Sequence, residues 1–250
     1  MKIAVITGAS RGLGKSMAIH LAKKGNDVII SYNSKKQEAE EVVKQIEVMG
    51  RKARALELDV SNIHSIEVFA ERVKRELLDH WGASYFDYLV NNAGIGIGAL
   101  VAEMTEEQFD ILMKIQLKGP FFVTQKLLPL INDGGHIVNI STGLTRITLP
   151  GYAVYAAMKG GIEILTRYMA KEFGERRIQV NVVAPGAIET DFGSGAVRDN
   201  KELNQFIASQ TALGRVGLPD DIGSMVASLL SDDNRWLTAQ RIEVSGGQML

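Results

Sequence analysis

The chain has 250 residues, 46% hydrophobic and 23% charged, with a formal net charge of −1, which suffices for one large α/β domain with a substantial buried core. So small a net charge gives no electrostatic reason for nucleic acid or an anionic membrane to be the main partner. With no cysteine and only His20, His64, His80 and His136 as imidazoles, disulfides, thiolate metal sites and a cysteine nucleophile are excluded, and no metal is expected.

The opening run Met1 to Ile6 is too short for a signal segment or a membrane span, so a cytoplasmic location is the default expectation. Apolar, β-branched runs then alternate with helical patterns. Strands are predicted at Ile3 to Thr7, Asp27 to Tyr32, Ala53 to Leu58, Tyr88 to Asn91, His136 to Ser141, Gln179 to Val183 and Arg241 to Val244. Helices are predicted between them at Gly14 to Lys24, Lys36 to Met49, Ile63 to Leu78, Glu106 to Leu130, Tyr152 to Phe173 and Asp220 to Leu230. Continuous apolarity, as in Val28-Ile29-Ile30, fits a parallel sheet covered on both faces. A single α/β domain over 1–250 with a doubly wound sheet follows. Asp191 to Gly217 breaks the rhythm directly after a strand end and reads as a lid over a ligand crevice or, failing that, a surface insertion.

In such a sheet the first strand-to-helix turn directs free N–H groups and a helix dipole at phosphate. Gly8, Gly12 and Gly14 occupy that turn, where a missing β-carbon permits a sharp bend and close approach of a pyrophosphate. A triphosphatase loop is the competitor, because Gly14-Lys15-Ser16 has its ending. That motif needs glycine at position 9, which is alanine. The three residues between Gly8 and Gly12 also depart from the common dinucleotide fingerprint.

This wider glycine spacing accompanies Asn91-Asn92-Ala93-Gly94, Tyr155-Ala156-Ala157-Met158-Lys159, Pro185-Gly186-Ala187-Ile188-Glu189-Thr190 and Val244-Ser245-Gly246-Gly247. In that order, over essentially the whole chain, the motifs resemble the short-chain dehydrogenase/reductase family. The resemblance implies a seven-stranded Rossmann fold, NAD(H) or NADP(H), and carbonyl/alcohol interconversion. It implies a cofactor surface built from Ser10, Arg11, Leu13 and the loop glycines, Tyr32, Asn33 and Ser34 at the second strand's end, and Asp59 and Val60. Asn91, Ala93 and Gly94 would lie along the adenosine side, and Pro185, Gly186, Ile188 and Thr190 beside the nicotinamide. Local alternatives exist: a turn at Asn91-Asn92, a cap at Asp59, a strand stop at Pro185.

Hydride transfer to a carbonyl creates an alkoxide that must take a proton. A phenol is too weak an acid to ionise readily at neutral pH, and a nearby cation strengthens it. Lys159, one helical turn beyond Tyr155, faces the same way, and in the family it also bonds the nicotinamide ribose. The spacing is cheap, since Tyr32 and Lys36 share it. The family's serine, thirteen residues before the tyrosine, is here Thr142, preceded by Ser141. Threonine keeps the donor hydroxyl while its branch restricts χ1, and Ser141 should point to the opposite side of the strand. The family's relay asparagine is replaced by Gln116, which predicts slower or pH-shifted turnover.

No carboxylate follows the second strand to accept from a ribose 2′-hydroxyl, while Arg11 lies in the glycine loop, so NADP(H) is favoured over NAD(H). The nearest functional likeness is to 3-oxoacyl-acyl-carrier-protein reductases and related ketone or sugar reductases. Asn132-Asp133-Gly134-Gly135 lacks the basic residue expected for carrier docking, leaving Arg176 and Arg177 for that task and a small free carbonyl as an equal candidate. A nucleotide-binding sensor without turnover is the other class, permitted by Gln116 and Thr142 and opposed by Tyr155 and Lys159. A serine hydrolase lacks its Gly-x-Ser-x-Gly elbow. A homotetramer built on the two long helices, with apolar Phe121-Phe122-Val123 and Ile162 to Met169, is the expected assembly.

Overall fold

The most apolar runs of the chain form the centre of the sheet. β1 (Ile3–Ile6) and β2 (Asp27–Tyr32) are buried along their whole length, as strands covered on both faces must be. The computed structural model describes residues 2–250. β3 (Ala53–Glu57), β4 (Phe86–Asn91), β5 (Ile131–Ile140), β6 (Gln179–Pro185) and β7 (Arg241–Val244) complete a parallel sheet of order β3-β2-β1-β4-β5-β6-β7. This is the predicted doubly wound, seven-stranded architecture. The strand order reverses between β1 and β4, which opens a crevice beyond their C-terminal ends.

Alternate strand residues feed two cores. Ala4, Ile6, Val28 and Ile30 pack under α1 (Gly12–Lys23), α2 (Lys36–Val48) and, after the later strands, α9 (Pro219–Leu229). Val5, Ile29, Leu89 and Ile137 pack on the other face under α3 (Ile63–Glu76), α5 (Gly119–Leu127) and α6 (Ala153–Glu172). The one charge in β2, Asp27, is buried but satisfied: its oxygens accept from Arg51 Nε at 2.8 Å, the Lys52 amide and Trp81 Nε1.

Several predicted boundaries shift by a residue or two, and two elements depart further from the expectation. β5 starts at Ile131 rather than His136, because Asn132 to Gly135 forms an irregularity in which pairing jumps from Phe86–Ile131 to Tyr88–His136. The predicted helix Glu106 to Leu130 keeps its extent but not its uniformity. α4 (Glu106–Met113) passes through a π-helical turn, Lys114–Lys118, into α5 and a 3₁₀ turn, Leu128–Leu130. Such a turn adds a residue to the ladder and is found often at functional sites; here it carries Gln116. After β6 the insertion folds as a 3₁₀ turn, Phe192–Gly195, then α7 (Ala196–Asp199) and α8 (Lys201–Ser209). Among the described residues, no helix is long and apolar enough to cross a membrane.

Candidate active site

The glycine loop lies where β1 feeds α1. Arg11 is the N-cap, extended at φ −155°, and supplies no side-chain cap, so the dipole end of the helix faces the crevice unsatisfied by protein. Gly8 and Gly12 take φ of +64° and +56°, a region only glycine enters freely. Gly14 is a close-packing position: a Cβ there would stand 2.4 Å from the Gly8 carbonyl oxygen and 2.7 Å from Asn92 Nδ2. The loop is stapled from both sides. The Gly8 amide donates to Ser31 Oγ at 3.1 Å, and Asn92 Nδ2 donates to the carbonyls of Thr7 and Gly8 at 2.9 Å each. Thr190 faces Gly12 across the crevice, its Cγ2 lying 3.7 Å from where a Gly12 Cβ would be.

On the far side, α6 carries Tyr155 and Lys159, both buried. Lys159 Nζ donates to the Ile140 carbonyl at 2.8 Å, and the ammonium stands 5.9 Å from the centre of the Tyr155 ring. Burial alone lowers the lysine to about 7. Burial also pushes the Tyr155 phenol well above its usual range, opposed only by the hydrogen bond from Thr142. Burial thus acts most strongly on both groups, upward on the phenol and downward on the ammonium, as removal of a charged form from water does.

Thr142, N-cap of the 3₁₀ turn Gly143–Thr145, keeps its hydroxyl on the Tyr155 side, and that hydroxyl also accepts from the Leu144 amide at 3.3 Å. Ser141 points to the opposite face, donating to Glu163 Oε1 at 2.7 Å. Gln116 is fully buried; its Nε2 donates to the Ile95 carbonyl, and its Oε1 has no protein partner. Its oxygen sits against Gly94, 2.9 Å from where a Cβ would be.

Pro185 ends β6, and the following loop is clamped on its outer side. The Ala187 amide donates to Gln248 Oε1 at 2.9 Å, and Ile188 pairs with Gly217. Beyond Thr190, the Phe192 ring lies 5.7 Å from that of Tyr155 and packs over Gly96. An apolar groove of about 350 Å³, lined by Leu100, Val101, Leu149, Pro150 and Tyr152, opens beside this corner.

Several predicted positions turn away from the crevice. The Asn91 side chain points into the sheet, donating to Thr124 Oγ1 at 2.9 Å and Asn139 Oδ1 at 2.8 Å; its neighbours Ala93 and Gly94 remain on the crevice side. Tyr32 packs in the core, leaving Asn33 and Ser34 exposed at the end of β2. Asp59 Oδ1 is taken by the amide and hydroxyl of Ser61 at 2.9 and 2.7 Å, while Asn62 caps α3. The Val60 carbonyl lies 2.7 Å from where a Gly119 Cβ would be, which fixes α5 against the loop. Asn92, Ser31 and Phe192 were missed because their contacts join segments far apart in sequence.

An uncapped helix end, a glycine cradle facing Thr190 and a buried Tyr–Lys pair across one crevice define a dinucleotide-dependent oxidoreductase. The family model described as enoyl-(acyl carrier protein) reductase matches residues 8–249. An uncharacterized oxidoreductase of Methylorubrum extorquens is 39% identical over 246 residues, 98% of this chain and 97% of that one. LugOII, described as a promiscuous reductase that catalyses keto-reduction at C1 during lugdunomycin biosynthesis, superposes with a TM-score of 0.94 at 36% identity, over 100% of this chain and 98% of that one. The angucycline C-6 ketoreductase LanV, solved with bound NADP, gives 0.94 at 37%, covering 99% and 95%. The chain belongs to the short-chain dehydrogenase/reductase family.

Proposed function

We propose that this enzyme reduces a free, largely apolar ketone to a secondary alcohol with NADP(H). The observation that carries this reading is the buried pair of Tyr155 and Lys159, with the ammonium 5.9 Å from the phenol ring and the Thr142 hydroxyl on the phenol's side. The reduced nicotinamide supplies the hydride when bound. Gly8, Ser10, Arg11, Gly12, Leu13 and Gly14 hold the pyrophosphate side, Ala93 and Gly94 the adenosine side, and Pro185, Gly186, Ile188 and Thr190 the carboxamide. Thr142 donates to the ketone oxygen and fixes its direction. Tyr155 then gives its proton to that oxygen as negative charge develops. Lys159 uses one N–H on Ile140 and keeps two for the ribose and the phenol.

The preference for NADP(H) is supported by the absence of a carboxylate after β2 and by Arg11, whose side chain is half exposed. Its one ion pair among the described residues is to the lid residue Asp191 at 3.5 Å. An apolar substrate is supported by the groove beside Tyr152 and by the ketoreductases LugOII and LanV. Carrier docking would rest on exposed Arg177, because Arg176 is spent on Asp133 at 2.8 Å and on the carbonyls of Leu128 and Ile131. Residues 191–217 act as the lid, with Phe192 as the side chain that covers the phenol. Exposed Phe121, Ile164 and Tyr168 support pairing of the long helices in a homotetramer, which sedimentation equilibrium tests.

The decisive assay follows NADPH absorbance against 1-tetralone, 2-tetralone and 9,10-phenanthrenequinone, with Tyr155→Phe as control. Turnover that Tyr155→Phe loses supports the reading. Tight NADPH binding with no turnover of any ketone would leave the sensor.

A further inference from the structure

Behind the catalytic hydroxyls lies a half-hidden ionic cluster that the proposed chemistry does not use. Glu163, one turn beyond Lys159 on α6, accepts through the single oxygen Oε1 from Ser141 Oγ at 2.7 Å, Thr145 Oγ1 at 2.8 Å and Arg241 Nε at 2.8 Å. Arg241, from β7, continues the cluster: its third nitrogen donates to the Thr142 carbonyl at 3.3 Å and to Thr145 Oγ1 at 3.0 Å, and NH1 pairs with Glu243. Side-chain exposures of 12% for Arg241 and 16% for Glu163 remove both charges largely from water. A pair so desolvated adds little net stability over apolar packing, yet leaves a costly lone charge if one partner is removed. Its geometry nonetheless has a definite consequence. A planar guanidinium fixed by a carboxylate on α6 holds the backbone carbonyl of Thr142 from behind, so the threonine hydroxyl and the helix bearing Tyr155 are tied to one rigid unit.

We infer that Arg241 and Glu163 are positioning residues for ketone reduction, setting the distance between the Thr142 hydroxyl and the Tyr155 phenol. The inference rests on the proposed function for its kinetic consequence, though not for its structural one. Reaction rates respond steeply to sub-ångström misplacement of donors that already bind well. Loss of Arg241 should therefore lower kcat while leaving nucleotide affinity alone, since the glycine cradle lies on the other side of the crevice.

The test compares wild type with Arg241→Met, Arg241→Lys and Glu163→Gln. It uses the best ketone of the panel above, NADPH fluorescence titration, thermal melting, and amide hydrogen exchange across residues 142–146. Arg241→Met is expected to lose about tenfold or more in kcat, with NADPH affinity within about twofold, and to exchange its 142–146 amides about tenfold faster. Arg241→Lys should recover the melting temperature but only part of kcat, because one ammonium cannot serve Glu163 and the Thr142 carbonyl in the same plane. Glu163→Gln keeps an acceptor but leaves the guanidinium with Glu243 as its carboxylate partner, and should fall between them in kcat. A folded Arg241→Met with wild-type kcat, or with unchanged exchange at 142–146, overturns the inference. If wild type itself turns over no ketone, the functional reading fails instead, and hydrogen exchange still decides whether Arg241 holds the Thr142 turn.

Discussion

Replacing Lys159 by methionine is expected to stabilise the unliganded protein at acid pH while abolishing turnover. The ammonium is buried, with the Ile140 carbonyl as its hydrogen-bond acceptor, and burial lowers its pKa from 10.5 to about 7. At about 1.4 kcal/mol per pKa unit, that fall represents roughly 5 kcal/mol against the charged form. Below pH 7 folded and unfolded chains both hold the proton, so the folded state bears this whole cost. Between about 7 and 10.5 the unfolded chain binds a proton that the folded chain has released, and stability rises with pH. Methionine removes the charge but orphans the Ile140 carbonyl, which costs roughly 1–3 kcal/mol. The variant should therefore gain about 2–4 kcal/mol at pH 6, or roughly 4–16 °C in Tm for a chain of this size. At pH 9 the remaining lysine cost, about 2 kcal/mol, is matched by the orphaned carbonyl, and the two proteins should melt together. The assay is thermal melting of both proteins without nucleotide at the two pH values. His136, held neutral by burial that lowers it to about 4, adds its own acid sensitivity equally to both and cancels. A variant that melts below wild type at pH 6, or a difference that does not change with pH, would refute the reasoning.

Gly14→Ala places a Cβ 2.4 Å from the Gly8 carbonyl oxygen and 2.7 Å from Ala9 Cα. The backbone must shift, so about 2–3 kcal/mol of stability and most NADPH affinity should go; wild-type melting with intact binding in calorimetry contradicts this. Gly96→Ala drives a methyl into the Phe192 ring, 2.6 Å from Cζ, and should lift that ring off Tyr155. KM for the ketone is expected to change severalfold while KM for NADPH holds, and equal changes in both would remove Phe192 from the substrate wall. Gln116→Asn shortens the amide that holds the Ile95 carbonyl and removes the orphaned oxygen beside Gly94. The pH–rate profile should move, and an identical profile takes Gln116 out of the proton relay.

Features written in short stretches were legible in the sequence. Val28-Ile29-Ile30 announced a strand covered on both faces, the three glycines announced the tight turn, and the separation of Tyr155 from Lys159 announced a shared helix face. What stayed hidden depended on partners that arrive from elsewhere in the chain. Asn91 looks crevice-facing until Thr124 and Asn139 supply acceptors inside the fold. Arg241 meets Glu163 across 78 residues, from a strand whose pairing with β6 no local pattern fixes. The π turn also carries no composition cue. It is visible only once Gln116 is seen pointing at Ile95 rather than continuing the apolar stripe.

In the expected mechanism Lys159 lends positive charge to the Tyr155 phenol, and burial acts on that phenol in the opposite direction. At neutral pH a phenol raised by burial is protonated, which is the form that donates to an alkoxide. Oxidation of an alcohol requires the phenolate instead, which the same burial opposes. The Glu163–Arg241 cluster lies behind Thr142, with Arg241 on its carbonyl, and so bears on the hydroxyl that opposes the upward shift of Tyr155. Geometry behind the site and desolvation within it therefore act on the same proton, the first by placing its acceptor and the second by keeping it bound until an alkoxide forms.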